Sequence, residues 1–319
     1  MGKSFCEVLL QCYPTTSEFE DLRSTYVADF VFNSFLCYTT IMLNIVTIHA
    51  IRKTPSLPRT LETSLLPKTL KALLLSLAVS DVGVGLFVQP FYITLQVKWA
   101  QENSPGCNTY KAFFLVNRLF SMASFFGVVA VSVDRFLAIY LHLRYQELVT
   151  HKRVVAVVIS IWVLGAFFSL MPLWVSFDIR NLLSVVLRVV GLILTTLVYI
   201  RIFLVVRFHK NQIQVLQVQK VAQTGELANF ARRIKSAVGV FYVYLVYLVC
   251  YLPFMVSVKG HEIFGPSVAV KKCLLFSLSL VFLNSSLNPV IYCWKMRHIR
   301  HAVMDILRNF SWHRNRTSH

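Results

Sequence analysis

The chain has 319 residues, of which 56% are hydrophobic and only 14% are charged, and its mean hydropathy is +0.61. Because soluble domains carry about 25% charged residues, this composition indicates a membrane protein and excludes an ordinary soluble domain. The net charge of +18 does not indicate a nucleic-acid-binding protein. The charges cluster between apolar runs, and there is no zinc-finger spacing, basic-region heptad or RNA-binding aromatic signature.

Residues 1–26 are mildly acidic and mixed in character, and they predict a short extracellular amino terminus. No cleavable signal peptide is visible, because the apolar segment around Glu7 is short and interrupted. Seven apolar stretches follow, each long enough to cross a hydrocarbon layer of about 30 Å. We place them at residues 27–51, 70–97, 109–140, 153–175, 180–206, 236–258 and 272–294. The sequence therefore predicts an all-α membrane protein, with a seven-helix bundle over residues 27–294.

Basic residues are distributed unevenly between the segments that connect these stretches. The segments 52–71, 135–153, 201–235 and 295–319 hold more than two thirds of the 32 Lys and Arg residues. Cytoplasmic segments carry this excess in multi-pass proteins. The pattern predicts a plasma-membrane protein with its amino terminus outside and its carboxyl terminus in the cytoplasm.

The end of the chain changes character after the seventh stretch. Apolar residues recur at helical spacing from Met296 through Ile299, Val303 and Ile306 to Phe310, with basic residues between them. Such a pattern is typical of a basic amphipathic helix on an anionic membrane surface. We expect this cytoplasmic helix over residues 295–310, followed by a short cytoplasmic tail, 311–319.

Several polar residues fall inside the apolar stretches, where they are costly and usually face the interior of the bundle. They are Asp81, Ser124, Asn284, Ser285 and Asn288. One carboxylate with several neutral oxygens suits a monovalent cation such as Na⁺, or a hydrated network. The alternative is a satisfied polar cluster that only fixes helix packing.

Four of the seven cysteines lie in segments that we predict to be extracellular, where disulfides can form. They are Cys6, Cys12, Cys107 and Cys273. Four cysteines allow three pairings, and the sequence does not choose between them.

Short motifs occur in a fixed order through the seven stretches. They are Asn44, LAVSD ending at Asp81, SVDRFLAIY around Arg135, Trp162, Tyr199 before RIF, CYLP ending at Pro253, and NSSLNPVIY ending at Tyr292. On these residues, the chain resembles the rhodopsin-like (class A) G-protein-coupled receptors over about residues 30–308. The resemblance implies a receptor that binds an extracellular ligand and activates a heterotrimeric G protein through movement of the sixth helix.

The resemblance also implies roles for individual residues. Arg135 would be held by Asp134 and, on activation, would meet Tyr199 and Tyr292 beneath the outward-moved sixth helix. The activation switch would comprise Asp134, Arg135, Tyr199, Tyr251, Pro253, Asn288, Pro289 and Tyr292. The five buried polar residues named above match the family's sodium pocket. Arg135 and Leu143 would contact the Gα subunit.

The chain departs from the family pattern at several positions. These are Phe136 for Tyr, His142 for Pro, Gly191 for Pro, Tyr247 for Phe and Tyr251 for Trp. Arg233 stands where many members carry the Glu that pairs with Arg135. A repulsive pair would then replace an attractive one, and we hypothesise appreciable ligand-independent signalling.

The ligand-binding candidates are Asn117, Arg118, Arg188 and Tyr251. Asn117 stands where amine receptors carry Asp, so we do not expect a monoamine. Arg118 and Arg188 would favour a carboxylate or phosphate, as on an anionic lipid, a small acid or an acidic peptide. Alternatively, one or both extend to the interface or face another helix.

The second external loop, between Trp174 and Asn181, is short and lacks cysteine. The family's usual bridge from this loop to the third helix cannot form. With this short loop, and with Gly191 in place of the usual proline of the fifth helix, the chain loosely resembles the melanocortin, lysophospholipid, cannabinoid and adenosine branch of the family.

Other functions have less support in the sequence. Phe282 stands where an opsin carries its retinal-binding lysine, so we expect no retinal, and no cofactor other than Na⁺. Enzyme motifs such as HExxH, GxSxG and a phosphate-binding loop are absent. An ion-coupled transporter using Asp81, or a non-signalling decoy receptor, remains the alternative.

Overall fold

The computed structural model describes residues 18–53, 67–101, 103, 106–141, 144–175, 177–216, 224–296, 299–306 and 308. This part of the chain contains seven helices that are long and apolar enough to cross a membrane. They are α1 (Phe19–Lys53), α2 (Lys68–Ala100), α3 (Cys107–Tyr140), α4 (His151–Leu170), α5 (Phe177–Leu216), α6 (Thr224–Phe264) and α7 (Val268–Lys295). A 3₁₀ turn, Met171–Leu173, extends α4, and a single helical turn, Tyr145–Leu148, lies between α3 and α4.

The helices pack into one bundle with α3 at its centre. α3 contacts α2, α4, α5 and α6, while α7 contacts α1, α2 and α6. Many large apolar side chains of α4 and α5 stay exposed, such as Val163 and Leu182 at 62% and 66%. This distribution is expected when lipid, and not water, surrounds the bundle. We name the two ends of the bundle the Arg135 end and the Asp29 end, after residues of α3 and α1.

α2 is irregular in the middle. Its α-helical parts, Lys68–Gly83 and Gln89–Ala100, are joined by a π-helical turn, Val84–Val88. A π turn holds an extra residue and so rotates the side chains that follow it around the helix axis. After the turn, Gln89, Tyr92, Gln96 and Trp99 are all buried, and this buried face builds one of the sites below.

α7 continues through Pro289, as the predicted stretch 272–294 does. Proline has no N–H, so the carbonyl one turn earlier, that of Ser285, loses its helical donor. The Nδ2 of Asn44 in α1 donates to this carbonyl at 2.9 Å. The neighbouring helix therefore satisfies the carbonyl that Pro289 frees, as expected in a membrane bundle.

α1 begins at Phe19, earlier than the predicted 27–51. Residues 19–26 had been assigned to the extracellular segment because they are polar in sequence. However, Leu22 and Tyr26 are 0% and 1% exposed, and the Tyr26 ring packs against Trp99 with centroids 5.4 Å apart. Packing against α2 thus extends the helix beyond its apolar stretch.

Residues 299–306, after α7, are helical. Ile299 and Ile306 are 0% and 5% exposed, whereas Arg300 and His301 are exposed. This short helix buries one apolar face and presents its basic residues on the other. Residues 309–319, including Phe310, lie outside the described part.

Candidate ligand and signalling sites

At the Arg135 end, Asp134 and Arg135 form a buried ion pair at the end of α3. Arg135 donates to Asp134 Oδ2 through Nε at 3.0 Å and also through a second guanidinium nitrogen. The other carboxylate oxygen, Oδ1, accepts from the Tyr145 hydroxyl at 2.6 Å, and Thr69 of α2 lies 3.0 Å from that hydroxyl. Burial raises the pKa of Tyr145 above its ordinary value, so the phenol stays a neutral donor.

Two arginines connect α3 and α6 at this end. Arg135 Nη1 reaches the hydroxyl of Ser236 at 3.4 Å. Arg233 Nη1 donates to the backbone carbonyl of Ala138, one turn beyond Arg135, at 2.9 Å. Arg135 is therefore bonded to a neutral hydroxyl of α6, whereas many members of the family that the chain resembles present a carboxylate to the corresponding arginine.

Tyr199 and Tyr292, which the switch would bring to Arg135, are not hydrogen-bonded to it in the described residues. The Tyr199 hydroxyl lies 3.0 Å from Ser132 Oγ, and its ring stacks on Tyr244 with centroids 5.3 Å apart. Tyr292 is 0% exposed, and its hydroxyl has no hydrogen-bond partner among the described residues. In this arrangement Arg135 pairs with Asp134, and the hydroxyl of neither tyrosine takes the place of that carboxylate.

Asp81, the carboxylate of the predicted polar pocket, is 0% exposed. Asn288 Nδ2 donates to Asp81 Oδ2 at 2.9 Å, so α2 and α7 are joined directly. Several buried oxygens of the predicted pocket residues and of Asn44 lack hydrogen-bond partners within the described part of the chain. They are Asp81 Oδ1, Asn288 Oδ1, Asn284 Oδ1, Asn44 Oδ1 and Ser124 Oγ.

These oxygens form the donor set that a small hard cation requires. The described residues contain no group of three His, Cys, Asp or Glu side chains that could bind a metal. A divalent or transition metal usually needs such a group, whereas one carboxylate with neutral oxygens carries the charge that suits Na⁺. The residues therefore fit Na⁺.

An aromatic cluster in the middle of the bundle links α3, α5 and α6. A Cβ atom added to Gly191 would lie 2.3 Å from Cζ of Phe125, so the ring occupies the space beside the glycine. Phe125 contacts Tyr247 with centroids 6.0 Å apart, and Tyr247 stacks on Tyr251 at 4.1 Å. The two departures at 191 and 247 are thus parts of one packing arrangement, with Phe125 filling the space left by the missing proline. Pro253 follows Tyr251 within α6.

The two arginines proposed for ligand binding both lie between α3 and α5. Arg118 is 7% exposed, donates to Ser184 of α5, and lies over the Phe114 ring at 5.8 Å. Arg188 is one turn beyond Ser184 and acts electrostatically on Tyr247 and Tyr251. Its buried Nε has no hydrogen-bond partner in the described residues. Arg118 thus faces a neighbouring helix, as the alternative interpretation expected, while Arg188 faces the aromatic cluster. Asn117 Oδ1 is 3.4 Å from Ser121 Oγ.

A second polar cluster, at the Asp29 end, joins α1, α2 and α7. The Asp29 carboxylate accepts from the Tyr92 hydroxyl at 2.9 Å, from the Gln96 amide, and from the Ser279 hydroxyl at 2.6 Å. Asn33 Nδ2 donates to Ser279 Oγ at 2.7 Å. Phe282, at the position of the opsin lysine, packs edge-on against Tyr92 with centroids 5.2 Å apart.

The disulfide candidates separate in the structure. Cys107 is disulfide-bonded, whereas Cys273 is a free, exposed thiol. The pairing of Cys107 with Cys273 is therefore not formed. Cys6 and Cys12, the other candidates, lie outside the described residues, as do Leu143 and His142.

Comparison with known proteins supports the receptor interpretation. The family described as "7 transmembrane receptor (rhodopsin family)" matches residues 43–292, which is most of the chain. The chain belongs to this family. It is a family of receptors, not of enzymes, and its members are multi-pass membrane proteins.

Individual relatives are adenosine receptors. The chain is 28% identical over 275 residues to adenosine receptor A2b of Homo sapiens, covering 74% of this chain and 79% of the relative. It is 27% identical over 274 residues to adenosine receptor A2b of Gallus gallus, covering 73% and 77%. It is also 26% identical over 269 residues to adenosine receptor A2a of Equus caballus, covering 73% and 63%. These relatives agree with the branch that the short second loop suggested.

Three groups in this receptor were not found from the sequence. Asp29 was missed because its four hydrogen-bonding partners come from three helices and form no motif. Tyr145 carried a weak signal, since a hydroxyl residue follows Arg135 in the loop before α4. Phe125 was read as one of many apolar residues, and only the clash with a Cβ at Gly191 reveals its position.

Proposed function

We propose that this receptor binds an extracellular ligand with an anionic group and activates a heterotrimeric G protein through movement of α6. The single observation that carries the proposal is the contact set of Arg135. The guanidinium is buried and paired with Asp134, while its contact to α6 is a 3.4 Å bond to neutral Ser236. A weak connection to α6 can be exchanged at low cost, which a two-state bundle requires.

The proposed orientation places the Arg135 end in the cytoplasm. The connecting segments at this end carry most of the Lys and Arg residues, and cytoplasmic segments of multi-pass proteins carry that excess. The G protein then binds at the Arg135 end, and the ligand enters from the Asp29 end. The helix after α7 lies on the cytoplasmic membrane surface, where its exposed Arg300 and His301 favour anionic lipid.

In the proposed activation step, α6 moves away from α3 at the Arg135 end. Arg135 leaves Asp134 and Ser236 and accepts new neighbours in Tyr199 and Tyr292. The Tyr292 hydroxyl supports this role, because it is buried and has no partner in the described part of the chain, a state that costs about 1–3 kcal/mol. A second conformation that supplies a partner would recover this free energy.

Ligand binding is proposed to act through Arg188 and the aromatic cluster Phe125–Tyr247–Tyr251. Arg188 is charged, partly buried and faces Tyr251, next to Pro253 in α6. A carboxylate or phosphate would pair with its guanidinium. The ligand would thereby pull on the segment of α6 where Pro253 removes a helical hydrogen bond and weakens the helix.

Na⁺ is proposed to favour the closed arrangement from the pocket around Asp81. Asp81, Ser124, Asn284, Ser285 and Asn288 would hold it, and Na⁺ supplies positive charge to a carboxylate that is buried in a bundle. Asn288 already ties α7 to Asp81. A cation there would strengthen the connection between α2, α3 and α7, so we expect added Na⁺ to lower ligand-independent signalling.

The decisive experiment measures G-protein activation in cells that express the receptor, across several Gα classes. The matched variant is Arg135→Ala at equal surface level, and the control is Arg201→Ala, which removes an exposed basic residue of α5. We expect a signal that is lost in Arg135→Ala and kept in Arg201→Ala. Equal signals in all three would overturn the proposal, and a ligand that binds without any G-protein activation would favour the decoy alternative.

Adenosine and adenosine monophosphate test the ligand class, because they differ by one phosphate and the relatives are adenosine receptors. If Arg188 binds an anionic group, only the phosphorylated compound should gain potency from Arg188. The gain should disappear in Arg188→Gln, which keeps a donor but removes the charge. If adenosine alone acted, and Arg188→Gln left its potency unchanged, the anionic assignment would be wrong.

A further inference from the structure

The cluster around Asp29 is chemically incomplete. The Asp29 side chain is half-buried, and its two oxygens accept three hydrogen bonds from α2 and α7. Each of these donors is neutral. The ion pairs in the described part of the chain join Arg135 to Asp134, Lys259 to Glu262 and Lys271 to Glu18, and none of them includes Asp29. Among the described residues, the Asp29 carboxylate thus has no positively charged partner. A half-buried carboxylate without such a partner is energetically costly.

Unpartnered acceptors surround this carboxylate. Asn33 and Gln96 are both 0% exposed, and each uses its amide nitrogen within the cluster. Their amide oxygens, Asn33 Oδ1 and Gln96 Oε1, have no hydrogen-bond partner among the residues that the structure describes. The oxygen and nitrogen assignments are fixed by the partners, since a carboxylate accepts only from the NH₂ side of Gln96.

We infer that the Asp29 cluster is a binding subsite for the protonated amine of an extracellular ligand. An ammonium group brings one positive charge and three N–H donors. The site offers the negatively charged carboxylate and, in the residues that contact Asp29, the amide oxygens of Asn33 and Gln96, which makes three acceptors for three N–H groups. Water would satisfy the oxygens and leave the charge uncompensated. The match in both charge and hydrogen-bond count is what selects the amine.

This subsite is distinct from the anion-binding site proposed at Arg188. Arg188 lies between α3, α5 and α6, whereas Asp29 lies between α1, α2 and α7. Together the two sites would accept a ligand that carries both charges, such as a peptide or an amino acid derivative. The inference goes beyond the proposed function, because binding an amine at Asp29 requires neither Arg188 nor a G protein.

Cysteine labelling tests the inference without a known ligand. Gln96→Cys places a thiol beside Asp29, and Cys273→Ser in every variant removes the exposed native thiol. The receptor in lipid nanodiscs is labelled with 2-aminoethyl methanethiosulfonate, which carries an ammonium, or with the 2-sulfonatoethyl reagent, which carries a sulfonate. Each rate is divided by that of the same reagent with a free thiol. Gln101→Cys, at the exposed end of α2, is the matched control site.

The ammonium reagent should be favoured at position 96 by about tenfold over position 101, since a charged cleft raises the local concentration of its counter-ion. Asp29→Asn should remove this preference. The aminoethyl adduct, whose ammonium then lies beside Asp29, should also melt at a higher temperature than the sulfonatoethyl adduct.

Three results would overturn the inference. One is a thiol at position 96 that neither reagent reaches. Another is a rate ratio that Asp29→Asn leaves unchanged, and the third is equal stability of the two adducts. If Gln96→Cys fails to fold, Asn33→Cys, one turn from Asp29 on α1, repeats the measurement from the other side of the carboxylate.

Discussion

The Arg135 end and the Asp29 end both contain a buried carboxylate network, but the two networks are built differently. At the Arg135 end, Asp134 is paired with the charge of its neighbour Arg135, and both belong to a family motif. At the Asp29 end, the carboxylate of α1 is held by neutral groups from α2 and α7. The first network is complete in itself and is suited to switching between two states. The second is left open to a cation from outside.

Replacing Asp29, and for comparison Asp81, the carboxylate that bonds Asn288 in the pocket between α2 and α7, should give the largest effects. Asp29→Ala leaves Tyr92, Gln96 and Ser279 without an acceptor, and an unsatisfied buried group costs about 1–3 kcal/mol. We expect a large fall in melting temperature with unchanged ligand-independent signalling per folded receptor. Asp81→Ala removes the acceptor of the Asn288 amide and of the Ser285 hydroxyl, two donors against three at Asp29, so it should destabilise less but alter signalling and its response to Na⁺.

Melting of the purified proteins and G-protein activation at matched surface level check this pair. Asp29→Asn, which keeps one acceptor oxygen, should lose less stability than Asp29→Ala. A change in ligand-independent signalling in Asp29→Ala as large as in Asp81→Ala would show that the Asp29 cluster also takes part in switching.

The packing between the two ends depends on Gly191. In Gly191→Ala the new Cβ meets Phe125, a residue only 2% exposed, and overpacking of this kind costs about 1–3 kcal/mol. Gly260→Ala is the matched control, because nothing lies within 4 Å of a Cβ there. Its melting temperature should stay the same or rise, since alanine favours a helix over glycine by up to about 1 kcal/mol.

Shortening the Phe125 side chain tests whether its contact with the new Cβ causes the loss of stability in Gly191→Ala. The double variant Gly191→Ala with Phe125→Leu should be more stable than the sum of the two single changes predicts. Strict additivity would mean that the cost at position 191 arises elsewhere.

Arg233→Glu tests how the Arg135 end is held closed. Ser236, which accepts from Arg135, lies one helical turn from Arg233 on α6, so a carboxylate at position 233 can reach the guanidinium. We expect ligand-independent G-protein activation to fall about fivefold, the ratio produced by about 1 kcal/mol of ion pairing. Arg233→Gln keeps a donor for the Ala138 carbonyl without adding a charge, and should have a smaller effect. Unchanged output in Arg233→Glu would refute the hypothesis of ligand-independent signalling.

Tyr145→Phe should have the smallest effect. It removes the hydroxyl that donates to Asp134 at 2.6 Å and contacts Thr69, and a hydrogen bond of this kind contributes about 0.5–1.5 kcal/mol. Melting should shift by a few degrees. Tyr140→Phe, whose exposed ring keeps its stacking on Phe136, should not shift it. Equal melting of both variants would mean that Tyr145 does not support Asp134.

The parts of the structure that local pattern determines were predictable. Long apolar runs identified the seven helices, because only a helix satisfies its own backbone in lipid. The motif residues Asp81, Arg135 and Asn288 were recognised by their order along the chain. Asp29 was not, since three of its partners lie in distant helices and the π turn of α2 decides which residues of that helix face it. The clash of Gly191 with Phe125 likewise depends on the spacing between two helices, which the sequence does not encode locally.

The length of α6 turns Pro253 into the pivot of a lever. From Pro253 to Thr224 the helix is about 44 Å long at a rise of about 1.5 Å per residue. A rotation of about 10° at the proline would therefore displace the far end by about 8 Å, given that rise. A ligand needs to shift Tyr251 by very little to move that end a long way. The same lever works in reverse, because coupling between two binding sites is reciprocal. A protein that holds the far end with modest force would set the position of Tyr251 and so the affinity of the ligand site.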